Sequence, residues 1–355
     1  MKKKLMLAMS GGVDSSAALA LLKDEYDVIG GTLKLFDKDV ICGKCSDKDI
    51  EDAKAVAAKF GLEHHVFPMQ SGFRQHVMQD FADTYLSGGT PNPCIQCNKY
   101  IKFGALLDEA VKLGCDCFAT GHYARVQYDE QRGRYLLKKA TVNGQANPKD
   151  QSYVLYNLTQ EQLKRIVFPL GEMDKSMVRE VALSHGLVNA EKQDSQDICF
   201  IPDGDYAGFI EKFTGATPET GCFVDTDGSI LGQHRGIIHY TIGQRKGLGL
   251  SFGKPMFVVG KDAPSNTVIL GDKEQLLCRT LTVRDVNFIA FDELTSPLAC
   301  NAKTRYTGKE QPCIITPLTN QRVRVEFNEP QPKASTGQSA VFYDGDIVLG
   351  GGIIE

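Results

Sequence analysis

No run of apolar residues in the 355-residue chain approaches the roughly 20 that cross a bilayer, and Met1-Lys2-Lys3-Lys4-Leu5 leads into a strand pattern without the layout of a secretory signal. Neither membrane insertion nor secretion is expected, which leaves the cytoplasm. Charge of one sign is not in excess either: 40 Lys plus Arg face 44 Asp plus Glu, a net charge of -4. Global electrostatics therefore names no polyanionic partner. Internal repeats and low-complexity tracts are missing as well, which excludes solenoids and long disordered arms.

What is present is ordinary for a soluble globular protein, with 42% hydrophobic and 24% charged residues. Two or three domains of about 100 to 200 residues fit the length. The eleven cysteines are an odd count. In a reducing compartment they read as metal, redox or catalytic thiols before they read as a disulfide framework.

The first part alternates strand and helix patterns: strands at 4–8, 28–35, 64–67 and 117–120, helices at 14–23, 46–60 (with Ser46 placed to cap it), 72–86 and 102–113. That alternation predicts an α/β fold with a parallel sheet covered by helices. Beyond residue 203 short β-rich runs take over at 236–241, 256–260, 267–270, 323–327 and 339–343, with another strand set opening at 276–286. Closely spaced short strands predict barrels. The expected domains are 1–203, 204–275 and 276–355. Charge is locally uneven: between Gln233 and Lys261 lie Arg235, Arg245, Lys246, Lys254 and Lys261 and no acid. Such a stretch suits phosphate backbones, although a solvated cationic face would look the same.

Ala8-Met9-Ser10-Gly11-Gly12-Val13-Asp14-Ser15-Ser16 joins the first strand to the first helix. A glycine turn at a helix N-terminus offers free N–H groups and the positive end of the helix dipole to a phosphate. Ser10, Ser15 and Ser16 add hydroxyl donors, and Asp14 could orient the turn or hold Mg²⁺. No G-x-x-x-x-G-K-[ST] string occurs, so this is not a Walker loop. The string resembles the loop of the ATP-pyrophosphatase superfamily, whose members split ATP between the α and β phosphates and adenylate a substrate. That resemblance implies that Leu33 and Gly121 approach the adenine.

Asn92-Pro93-Cys94-Ile95-Gln96-Cys97-Asn98-Lys99 places Cys97 ahead of a helix expected to begin near 100–102. A helix N-terminus with Lys99 and Lys102 close by would favour the thiolate. A second cysteine, Cys199, follows in Asp194-Ser195-Gln196-Asp197-Ile198-Cys199-Phe200, and by itself reads as a small buried hydrophobe.

Taken together, the loop, the 92–103 string, Ala-Thr-Gly-His-Tyr-Ala-Arg at 119–125, Lys-Asp-Gln-Ser-Tyr at 149–153, Ser-Gln-Asp-Ile-Cys-Phe at 195–200, Tyr-Thr-Ile-Gly-Gln-Arg-Lys-Gly-Leu at 240–248 and Gly-Gln-Ser-Ala-Val-Phe-Tyr at 337–343 resemble the tRNA-specific 2-thiouridylases over nearly the whole chain. The resemblance implies an adenine-nucleotide alpha hydrolase-like ATP-pyrophosphatase domain, a small central domain and a C-terminal β-barrel. It implies ATP-dependent adenylation of O2 of the wobble uridine, with Mg²⁺, followed by sulfur transfer from a protein persulfide. Cys97 is then the nucleophile and Cys199 the persulfide carrier, with a Cys97 to Cys199 disulfide on one of two open routes. The anticodon stem-loop would meet Asn92, Pro93, Cys94, His122, Lys149, Asp150, Gln151, Arg305, Tyr306 and Gln338. A persulfide-donating sulfur carrier or cysteine desulfurase would be the further partner.

Two features depart from the family pattern. Cys94 stands where an aspartate is common, and Cys42-Gly43-Lys44-Cys45 adds a second C-x-x-C to Cys94-Ile95-Gln96-Cys97. Such pairs suit zinc or an iron-sulfur cluster, and Pro91-x-x-Cys94-x-x-Cys97 resembles the iron-sulfur-dependent tRNA 2-thiocytidine synthetases. A cluster-dependent thiolase, another adenylating ligase on the same loop, and an ATP-sensing RNA-binding protein are the alternatives.

Overall fold

The computed structural model describes residues 2–36, 47–190, 192 and 197–355. Cys42, Cys45, Ser46, Asp194, Ser195 and Gln196 lie outside the described residues.

The chain opens with β1 (Lys4–Ala8), α1 (Val13–Leu22), β2 (Asp27–Lys34), α2 (Asp47–Lys59) and β3 (His64–Pro68). Leu5, Met6 and Leu7 are all fully buried. A strand apolar in consecutive positions is what a sheet covered on both faces requires. Two helical rods follow. The first joins α3 (Gln70–Phe73) to α4 (Gln79–Leu86) through a π-helical stretch at Arg74–Met78, and the second runs from α5 (Pro93–Gln96) through a π-helical Cys97–Leu106 into α6 (Leu107–Lys112). Next come β4 (Cys117–Thr120), the hairpin β5 (Ala124–Asp129) and β6 (Arg134–Lys139), a short hairpin β7 (Thr141–Val142) and β8 (Gln145–Ala146), then α7 (Gln160–Leu163), β9 (Ile166–Val167) and α8 (Lys175–Ser184).

The first sheet is parallel, in the order β3-β2-β1-β4-β9. The chain moves outward from β1 to β3, then re-enters beside β1 as β4. Loops leaving β1 and β4 therefore part at the C-terminal edge, where open α/β sheets hold their ligands.

Helix α9 (Tyr206–Thr214) leads into a four-stranded sheet of β10 (Gly221–Val224), β11 (Ile230–His234), β12 (Phe257–Asp262) and β13 (Thr267–Gly271). The strand expected at 236–241 is instead a single 3₁₀ turn, Ile237–His239. Gly236 sits at φ 116 and a Cβ there would lie 2.5 Å from Pro218 Cβ, so the chain turns where a ladder would have had to continue.

The last part closes on itself. Strands β14 (Leu277–Phe288), β15 (Leu298–Lys303), β16 (Gln311–Leu318), β17 (Arg322–Pro332), β18 (Ser339–Asp344) and β19 (Ile347–Ile354) pair in the order β14-β17-β16-β15-β18-β19, and β19 returns to β14. The result is a six-stranded antiparallel barrel, as the short-strand pattern suggested. The β5–β6 hairpin joins its outside through Lys138 opposite Ile347.

Two apolar clusters tie the parts together. One brings Phe103, Phe118, Tyr153 and Tyr156 of the first part against Val341, Tyr343 and Val348 of the barrel. The other joins Phe73, Phe81, Tyr85 and Phe200 to Phe209, Phe223, Val258 and Leu270 of the central part. Among the described residues no helix is long and apolar enough to cross a membrane.

Candidate active site

Glycine geometry builds the loop after β1. Gly11 has φ +69 and a Cβ there would lie 2.2 Å from the Asp49 carbonyl oxygen, while Gly12 caps α1 in an extended conformation. At Gly121, after β4, a Cβ would come within 3.0 Å of Ser15 N. Only glycine lets the two loops meet over the first turn of α1. Side chains of Met9 and Val13 are buried, as is most of Ser15, so the loop presents backbone. Ser15 Oγ accepts from Ser10 N at 3.2 Å and donates to the Gly12 carbonyl at 3.1 Å. Met9 is fixed to β2 on both sides, its N–H donating to Gly31 O at 2.8 Å and its carbonyl accepting from Thr32 Oγ1 at 2.9 Å. Leu33, at the end of β2, packs against both apolar clusters just described.

Around this loop the structure adds residues that the sequence reading missed. Asp14 Oδ1 accepts from the Tyr123 hydroxyl at 2.8 Å and from Lys175 Nζ at 2.7 Å. Behind the loop, Lys192 Nζ reaches Gly11 O at 3.0 Å and the carboxylates of Asp49 and Asp52 at 2.7 Å each. Asn189 Nδ2 donates to Gly11 O at 3.0 Å and to Ser16 Oγ at 2.7 Å. These braces come from residues up to 181 positions away. No local string announces them.

The thiol segment departs from its expected geometry. Pro93 occupies the first helical turn and Asn92 Oδ1 accepts from Cys94 N at 3.2 Å, so the helix begins ahead of Cys97 rather than after it. Cys94 therefore takes the N-terminal turn, exposed, and Cys97 lies a turn further in, 9% exposed. The helix terminus thus falls at Cys94, where desolvation outweighs the charge of Lys102 and pushes the thiol up, so the thiolate is not favoured there. Cys97 and Cys199 both pack in the cluster of Phe73, Phe81 and Phe200, Cys199 from its partly buried edge. Phe200 anchors its neighbour Cys199, with ring centroids 5.6 Å from Phe73, 5.5 Å from Phe81 and 5.0 Å from Phe209.

His122 follows β4 and is buried. Thr120 Oγ1 lies 2.6 Å from His122 Nδ1. Burial, and after it the charge of Lys102, holds this imidazole well below its ordinary value, so it is neutral in the folded protein. Tyr306 lies on the loop between β15 and β16, its ring 6.0 Å from that of Tyr153, and Lys303 Nζ stands 5.7 Å from each of the two ring centres. Burial first, then the charges of Asp150 and Cys94, push the Tyr306 phenol up.

Several residues assigned to the tRNA side by resemblance make contacts within the protein. Asp150 accepts from Ala140 N at 2.9 Å and from Ser152 Oγ at 2.7 Å. Gln151 Oε1 accepts from Tyr123 N at 3.0 Å. Arg305 Nη2 donates to Lys333 O at 2.6 Å, and Gln338 Nε2 to Thr90 O at 2.8 Å and Pro91 O at 3.3 Å. Lys149 is exposed. Of the basic stretch, Lys261 turns inward, donating to Tyr240 O at 2.8 Å, and Lys254 pairs with Asp272 at 2.8 Å. Arg235, Arg245 and Lys246 are exposed. Among the described residues no three His, Cys, Asp or Glu side chains gather as metal ligands.

Comparison with known proteins gives matches along the full length of the chain. Residues 3–203 match the tRNA methyl transferase HUP domain, 207–272 the tRNA methyl transferase PRC-barrel domain and 278–354 the Aminomethyltransferase beta-barrel domain. The tRNA-specific 2-thiouridylase MnmA of Acetivibrio thermocellus is 51% identical over 361 residues, covering 100% of this chain and 99% of that relative. Its counterpart in Clostridioides difficile is 50% identical over 360 residues, with 100% and 99% covered, and that of Clostridium acetobutylicum 47% over 361, with 100% of both. At that identity and coverage, the chain belongs to the tRNA-specific 2-thiouridylase family.

Proposed function

We propose that the chain activates the wobble uridine of tRNA with ATP and replaces its O2 by sulfur. The observation that carries this reading is the placement of Cys97 and Cys199 in one apolar cluster, in a chain whose glycine loop offers a phosphate site at the α1 N-terminus. A pyrimidine carbonyl oxygen is a poor leaving group. Transfer of AMP to it from ATP, with loss of pyrophosphate, turns it into one that sulfur can displace. Ser10 to Ser15 hold the phosphates through backbone N–H groups and hydroxyls, and Leu33 and Gly121 border the adenine.

Asp14 is the only carboxylate between Ser10 and Ser16, and one of its oxygens already serves Tyr123 and Lys175. One remaining carboxylate oxygen plus substrate phosphates is ordinary Mg²⁺ binding. Bound there, the ion would offset phosphate charge.

Sulfur reaches Cys199 as a persulfide from a carrier protein or desulfurase. In one route the outer persulfide sulfur attacks the activated C2 and expels AMP, and Cys97 thiolate then attacks Cys199 Sγ, breaking the S–S bond and releasing 2-thiouridine. In the other Cys97 first displaces hydrosulfide from Cys199, and the hydrosulfide attacks C2 and expels AMP. Either way a Cys97 to Cys199 disulfide remains and a reductant reopens it. Asn92, Pro93 and Cys94 border the splayed base; His122, Lys149, Asp150, Gln151, Arg305, Tyr306 and Gln338 shape the tRNA side. In this division of labour residues 1–203 carry the chemistry, while 204–275 and 276–355 hold the anticodon stem-loop. A metal on Cys42, Cys45, Cys94 and Cys97 would conflict with a cycling Cys97, so the persulfide reading stands first.

The test is a reaction of the purified chain with ATP, Mg²⁺, a persulfide donor and unmodified tRNA. AMP, pyrophosphate and 2-thiouridine are expected in step, by nucleotide chromatography and nucleoside mass spectrometry. ADP and phosphate as the products would overturn the assignment of the loop.

A further inference from the structure

The loop from Ser10 to Ser16 contains no lysine, yet it would receive the most highly charged part of ATP. It also carries a carboxylate, Asp14, in the first turn of the very helix whose N-terminus faces the anion. Left alone, that charge would repel phosphate and oppose the helix dipole's contribution. Lys175 answers it. Its Nζ lies 2.7 Å from Asp14 Oδ1, across 161 residues of sequence, with side chains 15% and 33% exposed.

Local structure fixes that placement. Lys175 is the first residue of α8, whose cap Asp174 accepts from Met177 N at 2.8 Å, and α8 packs along α1. The lysine stem is thus held, and its ammonium meets Asp14 at the first turn of α1. Tyr123 fixes the same carboxylate oxygen through a 2.8 Å hydrogen bond. The other cation on this loop, Lys192, is bound by two carboxylates of α2 and a loop carbonyl, on the side of the loop that faces α2.

We propose that Lys175 is the phosphate-site cation of this enzyme, held on Asp14 at the N-terminus of α1 and shared with the β and γ phosphates when ATP binds. The inference rests on the ATP-splitting reading above and deepens it. As uridine O2 bonds to the α-phosphorus, the bond from that phosphorus to the bridging oxygen breaks and its electron pair leaves with pyrophosphate. The ammonium would offset the charge that grows there.

Calorimetric titration of the full chain with ATP, AMP and inorganic pyrophosphate, each with Mg²⁺, separates the possibilities. Lys175→Met and Lys175→Gln should weaken ATP and pyrophosphate by about tenfold or more, the effect of losing a charge-assisted hydrogen bond, and leave AMP within about twofold. Lys175→Arg should recover most of the loss, and tRNA affinity should not move. Unchanged ATP and pyrophosphate binding in either neutral variant would overturn the proposal, as would an equal loss for AMP, which would mark a collapsed loop. Wild-type protein binding neither ATP nor pyrophosphate would instead sink the nucleotide reading itself.

Discussion

Gln338 donates its side-chain amide to the carbonyl of Thr90 at 2.8 Å, and Thr90 N–H in turn reaches Thr336 O at 2.8 Å. The barrel loop thus grips the segment that ends in the cap Asn92, two residues before Cys94. Removing the grip with Gln338→Ala should raise KM for tRNA by about three- to tenfold, the range of one net hydrogen bond, with KM for ATP unchanged. Steady-state kinetics with each substrate varied checks it; equal effects on both would refute a role confined to the tRNA side.

Cys97→Ser and Cys199→Ser should each abolish 2-thiouridine formation while tRNA-dependent pyrophosphate release stays measurable, because the proposed route places both thiols after adenylation. Cys115, buried beside the first sheet, and Cys117, at the start of β4, serve as controls. Their serine variants should keep activity. Full thiolation by either active-site variant would remove that thiol from the mechanism.

Reversing charge at Arg245 and Lys246, both exposed, should weaken tRNA binding and flatten its salt dependence by roughly 0.7 to 0.9 in log-log slope per lost phosphate contact. ATP affinity should hold. An unaltered slope would place the docking surface elsewhere.

Lys261 gives a pH signature. Burial pulls its ammonium down to about 8 from 10.5, so the folded chain releases this proton before the unfolded chain does. Below pH 8 both states hold it and the burial penalty is present in full; between about 8 and 10.5 the unfolded state binds more protons, and the folded state gains. The stability of the wild type minus that of Lys261→Met, from urea unfolding at several pH values, should therefore rise across that interval. A flat difference would show that the lysine is solvated.

The parallel sheet and the barrel were legible because burial on two faces and tight alternation leave strong periodic marks, as in Leu5 to Leu7 and Val323 to Phe327. The site was legible where chemistry depends on neighbours in sequence, as in the glycine loop. It was illegible where partners are remote. Nothing local to Lys175, Asn189 or Lys192 marks them as braces of a loop near residue 11, and Gln338 reads as any polar residue until its carbonyl partners are seen. The start of the thiol helix was misjudged for a different reason: Asn92-Pro93 is both a turn signal and a helix start, and only the Asn92 to Cys94 hydrogen bond decides between them.

The β5–β6 hairpin has a consequence for synthesis on the ribosome. It is translated with the first part of the chain, but its outer neighbour β19 and the residues that bury Tyr153 and Tyr156 arrive last. Until then an edge strand lacks its neighbour and two large aromatic rings lack the barrel side of their packing. The nascent chain therefore passes through a long interval in which its first part is complete in sequence yet open to mispairing, the condition under which chains recruit holding factors. Proteins of this design should be sensitive to truncation near the C-terminus well beyond what loss of one barrel strand would cause.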